Sequence, residues 1–115
     1  MMSVMAKRRT GVTAEELENL IKARQAPALL DVRSDDEFNS GHIAGAIHAP
    51  LANILKATQA ASKNKEDLLI IICEHGPRAQ LARVLLKLHG YKNLELLNGH
   101  MAHWRHAGRP VKQGR

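Results

Sequence analysis

A single cysteine, Cys73, stands in the 115-residue sequence, which excludes an internal disulfide and any zinc site built on two cysteines. Aromatic residues make up only 3%, too few for a base-stacking platform, and no helix-turn-helix pattern is visible, so no nucleic-acid partner is expected. The longest unbroken apolar run, Leu68 to Cys73, falls far short of the roughly 20 residues that a membrane-spanning helix needs, so no membrane partner is expected. No apolar stretch follows Lys7, Arg8 and Arg9, so a secretory leader is not expected and a cytoplasmic location is. Internal repeats and low-complexity blocks are lacking.

What is present is an ordinary globular composition, 44% hydrophobic and 24% charged, at a length that suits one hydrophobic core. The expected organisation is a flexible basic stretch over 1–10, one domain over 11–112 and a flexible end over 113–115. The formal charge of +6 is uneven: up to Ser62, seven Lys and Arg balance seven Asp and Glu, whereas from Lys63 onward ten face four. The excess shares its half of the chain with the cysteine, which favours a small anion or an acidic partner.

Strands and helices alternate along the chain. Thr13 with Glu16 forms a capping box that opens an amphipathic helix through Leu17, Leu20 and Ile21, ending near Gln25. Ala28 to Val32 reads as a strand, and Ser34 with Glu37 caps a short helix holding Phe38. Ala46 to His48 reads as another strand, Pro50 opens a helix carrying Leu51, Ile54 and Leu55, and Ser62 to Asp67 reads as an exposed loop. Leu68 to Ile72, apolar on both faces, is expected as a central parallel strand. Leu81, Leu85 and Leu88 then repeat at helical spacing up to Gly90, which is well placed to cap the helix. Leu94 to Leu97 is a further strand and Gly99 to His106 a last helix, with Met101 and Trp104 in the core. This order predicts a three-layer α/β domain whose mostly parallel central sheet is flanked by helices.

Ligand sites in such sheets lie at the carboxyl ends of the strands, which is where Cys73 falls. The segment Cys73, Glu74, His75, Gly76, Pro77, Arg78 joins that strand to a helix within a few residues. A loop so short must curl, and Gly76 gives the freedom to do so. Curling aims backbone N–H groups inward with the helix dipole behind them, and Arg78 adds a fixed charge; together they make an anion cradle. Negative charge on sulfur is favoured there, and the thiolate is the nucleophile. The plain alternative is a small hydrophobe ending a strand.

Three blocks of residues extend this reading. The first holds Asp31-Val32-Arg33, Glu37-Phe38, Gly41-His42-Ile43, Gly45-Ala46 and Pro50; the second is Cys73-x-x-Gly76-x-Arg78; the third holds Leu97, Gly99, Met101, Trp104, Gly108 and Pro110. In this order and spacing, from Val12 to Val111, the sequence resembles the rhodanese family of sulfurtransferases, of the small single-domain type. The resemblance implies the rhodanese-like fold, with Cys73 carrying a persulfide and Glu74, His75, Gly76, Pro77 and Arg78 binding substrate. It implies a small anionic sulfur donor such as thiosulfate, a thiophilic acceptor such as cyanide, a thiol or a protein thiol, and no cofactor.

The sequence departs from that family's pattern in four places. Pro77 lacks an N–H, Ala79 replaces a common hydroxyl residue, Glu74 sets an acid beside the sulfur that His75 could offset, and His100 replaces a second glycine and lines the pocket mouth. Related phosphatases resemble a loop one residue longer, so sulfur transfer is favoured over phosphate or arsenate chemistry. A persulfide carrier or docking module with little thiosulfate turnover is the alternative. Asp31 and Arg33 are expected near the site as a structural ion pair or as loop-bonding residues, and His42 as a residue that orders its turn. His100, His103 and His106 spread too widely around a helix to converge on zinc, so no metal is expected.

Overall fold

Leu68–Ile72 owes its place to having no polar side chain to offer solvent on either face, and in the computed structural model, which describes residues 11–114, it is an inner strand of the sheet. The basic stretch 1–10 and Arg115 lie outside the described residues. The elements in chain order are α1 (Ala14–Lys22), β1 (Ala28–Asp31), α2 (Asp35–Ser40), β2 (Ile47–His48), a 3-10 turn (Leu51–Asn53), α3 (Ile54–Ala61), β3 (Leu68–Ile72), α4 (Pro77–Leu88), β4 (Asn93–Leu96) and α5 (His100–His106). All strand pairs are parallel, in the order β2-β1-β3-β4. Leu30 faces Ile47 on one side and Ile71 on the other, which sets the register.

Because side chains alternate along a strand, β3 feeds two cores. Leu69, Ile71 and Cys73 point to one face, where Ile54, Ala79, Ala82, Leu86 and Tyr91 cover them. Ile70 and Ile72 point to the other, packed with Val12, Leu17, Ile43, Met101 and Trp104. Each fully buried branched side chain contributes about 1.5–3 kcal/mol, and a sheet covered on both faces is the three-layer arrangement that the chain order predicts.

Both capping boxes form: Thr13 Oγ accepts from the Glu16 N–H at 3.0 Å and Ser34 Oγ from the Glu37 N–H at 3.3 Å, with each glutamate reaching back to the cap residue's own N–H. Element ends shift by a few residues. The first helix stops at Lys22 rather than near Gln25, and the last strand runs from Asn93 to Leu96. Ser62, expected in an exposed loop, is buried and donates its hydroxyl to Asn64 O.

The leucine spacing of α4 does not coincide with its buried face. Its buried stripe is Ala79, Ala82 and Leu86, while Leu81 and Leu88 are 48% and 75% exposed. Small side chains let the helix lie close to the sheet beside Leu86, Leu85 packs at the edge of the core, and Leu81 and Leu88 point away.

Candidate active site

The strand order reverses direction between β1 and β3: from β1 the chain steps outward to β2, then crosses back over β1 to β3. Such a switch point leaves a crevice beyond the carboxyl ends of the two strands. Asp31 and Arg33 come from the end of β1, and Cys73 and Glu74 from the end of β3.

At the end of β3 the loop from Cys73 to Gly76 turns into α4. Gly76, the residue before the helix, sits at φ 125°, a conformation that residues with a Cβ rarely adopt. The first N–H groups of a helix have no partner within it, and glycine has no side chain to cap them. Cys73 Sγ takes that part. It accepts from the Gly76 N–H at 2.9 Å and from the Ala79 N–H at 3.4 Å. Pro77 occupies the first position of α4, where a missing N–H leaves nothing unpaired. Ala79 lacks the hydroxyl common at its position, yet its backbone supplies a donor. The Cys73 side chain itself is fully buried.

A second helix start holds the loop from outside. The N–H groups of Met101 and Ala102, in the first turn of α5, donate to the carbonyls of Cys73 and Glu74, both at 3.1 Å. His100 Nδ1 accepts from the Cys73 N–H at 3.1 Å, and its backbone lies at φ 51°. That bond requires the neutral ring with its proton on Nε2. Burial, and secondarily the charge of His75, push the His100 pKa down in the same direction. The ring also lies against Gly76: a Cβ added there would sit 3.5 Å from His100 Cδ2 and Nε2. His103 and His106 of the same helix are exposed.

Charged groups ring the loop in closed pairs. Arg33, 2% exposed, donates to Asp31 Oδ2 at 2.9 Å, to Gly41 O at 2.8 Å and to Glu74 Oε1 at 3.2 Å. The negative charge beside the sulfur is therefore met by Arg33 and by Arg105, whose Nη1 donates to Glu74 Oε1 at 3.1 Å, rather than by His75. The hydrogen bond from Arg105 holds the Glu74 pKa below the usual carboxylate range. Arg78 grips both oxygens of Glu37, at 2.7 and 3.0 Å, and that bond chiefly lowers the Glu37 pKa to about 2. Arg78 thus adds positive charge near the sulfur with its guanidinium committed to Glu37. His42 orders its turn through a 2.8 Å bond between Nδ1 and Phe38 O and by stacking on the Phe38 ring at 3.8 Å.

Beside the loop, Arg33, Glu37, Ser40, Gly41, Glu74, Arg105 and Val111 line an open cleft of about 420 Å³. Arg105 escapes the sequence reading because its contact with Glu74 spans 31 positions of chain, with no local pattern to mark it. Among the described residues, no group of His, Cys, Asp and Glu is placed to hold a metal ion, and no helix is long and apolar enough to cross a membrane.

The defining pattern of the Rhodanese-like domain matches residues 13–107. The chain belongs to the rhodanese-like domain family. Its relatives include sulfurtransferases and sulfur carriers. The thiosulfate sulfurtransferase GlpE of Tolumonas auensis is 31% identical over 94 aligned positions, covering 75% of this chain and 87% of that protein. YrkF of Bacillus subtilis, named as a candidate sulfur carrier, is 30% identical over 83 positions, covering 72% of this chain; the chain spans only 44% of that relative's length. A crystal structure of a thiosulfate sulfurtransferase from Pseudomonas aeruginosa superposes with a TM-score of 0.80 at 26% identity, covering 97% of this rhodanese-like chain and 22% of the larger one.

Proposed function

We propose that this rhodanese-like domain is a sulfurtransferase that moves sulfane sulfur from thiosulfate, or another sulfane donor, to a thiophilic acceptor through a persulfide on Cys73. The observation that carries this reading is the pair of backbone N–H groups, of Gly76 and Ala79, donating to Cys73 Sγ at the start of α4. The Cys73 thiolate attacks the outer sulfur of thiosulfate; a new S–S bond forms, the old one breaks, and sulfite leaves with the electron pair. Cyanide or a thiolate then attacks the outer sulfur of the persulfide, and the pair returns to Cys73 Sγ. The amides stabilise negative charge on sulfur in both states without changing their own charge. Gly76 shapes the cradle, Pro77 starts the helix behind it, and Arg78, His75 and Glu74 tune the field at its mouth.

Burial favours a second reading. The Cys73 side chain is fully covered, and the open cleft is lined by its neighbours. A covered persulfide suits a carrier that surrenders sulfur to a docked protein and turns over free thiosulfate slowly.

A thiosulfate:cyanide assay on the wild type and Cys73→Ser, with intact mass after thiosulfate alone, separates the two. Thiocyanate formation together with a cyanide-removable gain of one sulfur, both lost in the variant, supports the enzyme. A sulfur adduct without appreciable turnover supports the carrier, and absence of both leaves Cys73 a structural residue.

A further inference from the structure

The leucines that α4 keeps out of the core form a pattern of their own. Pro77, Leu81, Val84 and Leu88 are all exposed, the last three at 48%, 52% and 75%. Their spacing of four, three and four residues is that of the a and d positions of a coiled coil, which places them along one helix face. The buried residues Ala79, Ala82 and Leu86 lie on the opposite face. At 1.5 Å per residue the exposed row is about 17 Å long. Folded chains do not usually leave such a row uncovered without use.

Two features of this row indicate what covers it. The first is charge. Between Pro77 and Leu88 the helix carries Arg78, Arg83 and Lys87 and no acid. At its far end Lys65 donates to His89 O, and Lys92 is exposed. Glu37 meets Arg78 at the near end, and Glu95 of β4 is half-buried behind Arg83. Against a second copy of this chain the row would set Arg83 and Lys87 against the same charges, and the chain's own 1–10 stretch brings Lys7, Arg8 and Arg9 with no acid. The second feature is position: the row begins at Pro77, the residue that follows the loop, so a segment lying along it ends at the mouth of the cradle.

We propose that this face of α4 docks an acidic amphipathic helix of a protein that accepts sulfur from Cys73. The apolar side of that helix covers Leu81, Val84 and Leu88, and its acidic flank meets Lys87 and the guanidinium of Arg83, which reaches round the helix to Gln80 Oε1. The transfer half of the proposal rests on the persulfide reading above: the acceptor thiolate attacks the outer sulfur, the S–S bond breaks, and the electron pair returns to Cys73 Sγ. The docking half stands without it.

The test uses the full chain and two synthetic helical peptides with Leu at a and d, one carrying Glu at e and g, the other Lys. Amide shifts in NMR titrations are expected on α4 with the Glu peptide and not with the Lys peptide. Affinity should fall at least tenfold in the Leu81→Gln, Val84→Gln, Leu88→Gln triple variant while thiosulfate:cyanide turnover is unchanged. Arg83→Glu with Lys87→Glu should transfer the preference to the Lys peptide. A Glu peptide with a cysteine at the end nearest Pro77 should take sulfur from the persulfide faster than one with the cysteine at the other end. No shifts, equal shifts with both peptides, or a concentration-dependent dimer abolished by the triple variant would overturn the docking site. Docking without any dependence of sulfur transfer on cysteine position would remove the acceptor role alone, and loss of the Cys73 adduct would remove the persulfide reading while leaving the docking result intact.

Discussion

At the carboxyl end of β1, Asp31 and Arg33 are both buried and each is consumed by the other, with Gly41 O and Glu74 taking what remains of the guanidinium. At the carboxyl end of β3, the next strand over, the sulfur of Cys73 is held by two neutral backbone amides. The two ends divide the work of the site. Buried opposite charges resist movement because separating them leaves one desolvated and unpaired, which makes them a frame. Amide N–H groups can donate to a thiol, a thiolate or a persulfide with little reorganisation, which suits the sulfur-transfer cycle proposed above. Fixed charge braces the crevice, and dipoles face the sulfur.

If the β1 end is the frame, its removal should have the larger effect on stability. Arg33→Met leaves the fully buried Asp31 carboxylate without its guanidinium and should cost about 3–5 kcal/mol in urea unfolding. Adding Asp31→Asn should recover a large part of that loss; a double variant no more stable than the single one would mean that the pair is not the frame. Gly76→Ala probes the β3 end. Its φ of 125° is strained for any residue with a Cβ, so stability should drop by about 1–3 kcal/mol. On the proposed mechanism, turnover should also fall about tenfold or more, because the displaced N–H is a donor to Cys73 Sγ. Equal losses in Gly76→Ala and in an exposed control such as Leu88→Ala would erase the contrast.

The smallest effect belongs to the half-exposed pair of Glu37 and Arg78. The folded-state pKa of Glu37, about 2 against an ordinary 4.5, is depressed, so its contribution is present above pH ~4.5 and is lost as pH falls toward 2. Solvent screening limits it to under about 1 kcal/mol. Glu37→Gln, which keeps the capping bond to the Ser34 N–H, should flatten the fall in urea midpoint between pH 5 and pH 3; an unchanged slope would show that this pair contributes nothing measurable.

Local patterns in the sequence carried much of this architecture. Two capping boxes needed only residues three apart, and β3 needed only its own composition. The loop from Cys73 to Arg78 announced its curl through Gly76 and its place through the strand before it. Two kinds of information were out of reach. Leucine spacing on α4 did not show which face is buried; that Ala79, Ala82 and Leu86 meet the sheet while Leu81 and Leu88 do not was decided by how closely the helix approaches it, a tertiary quantity. The partners of Glu74 and of the Cys73 amide, Arg105 and the His100 ring, lie 31 and 27 residues away in the chain. A histidine where a relative's glycine is common was the one visible sign, and it pointed to the pocket mouth without revealing the bond to Cys73.

The hold of α5 on the loop bears on synthesis. A chain made only as far as β4 has the cysteine, the glycine and the first turn of α4, but lacks the imidazole at the Cys73 amide and the Met101 and Ala102 amides at the loop carbonyls. Until the helix beginning at His100 has emerged and docked, the nascent protein carries an incompletely supported thiol. The loop at the end of β3 is thus completed by residues made some 27 positions after its own cysteine.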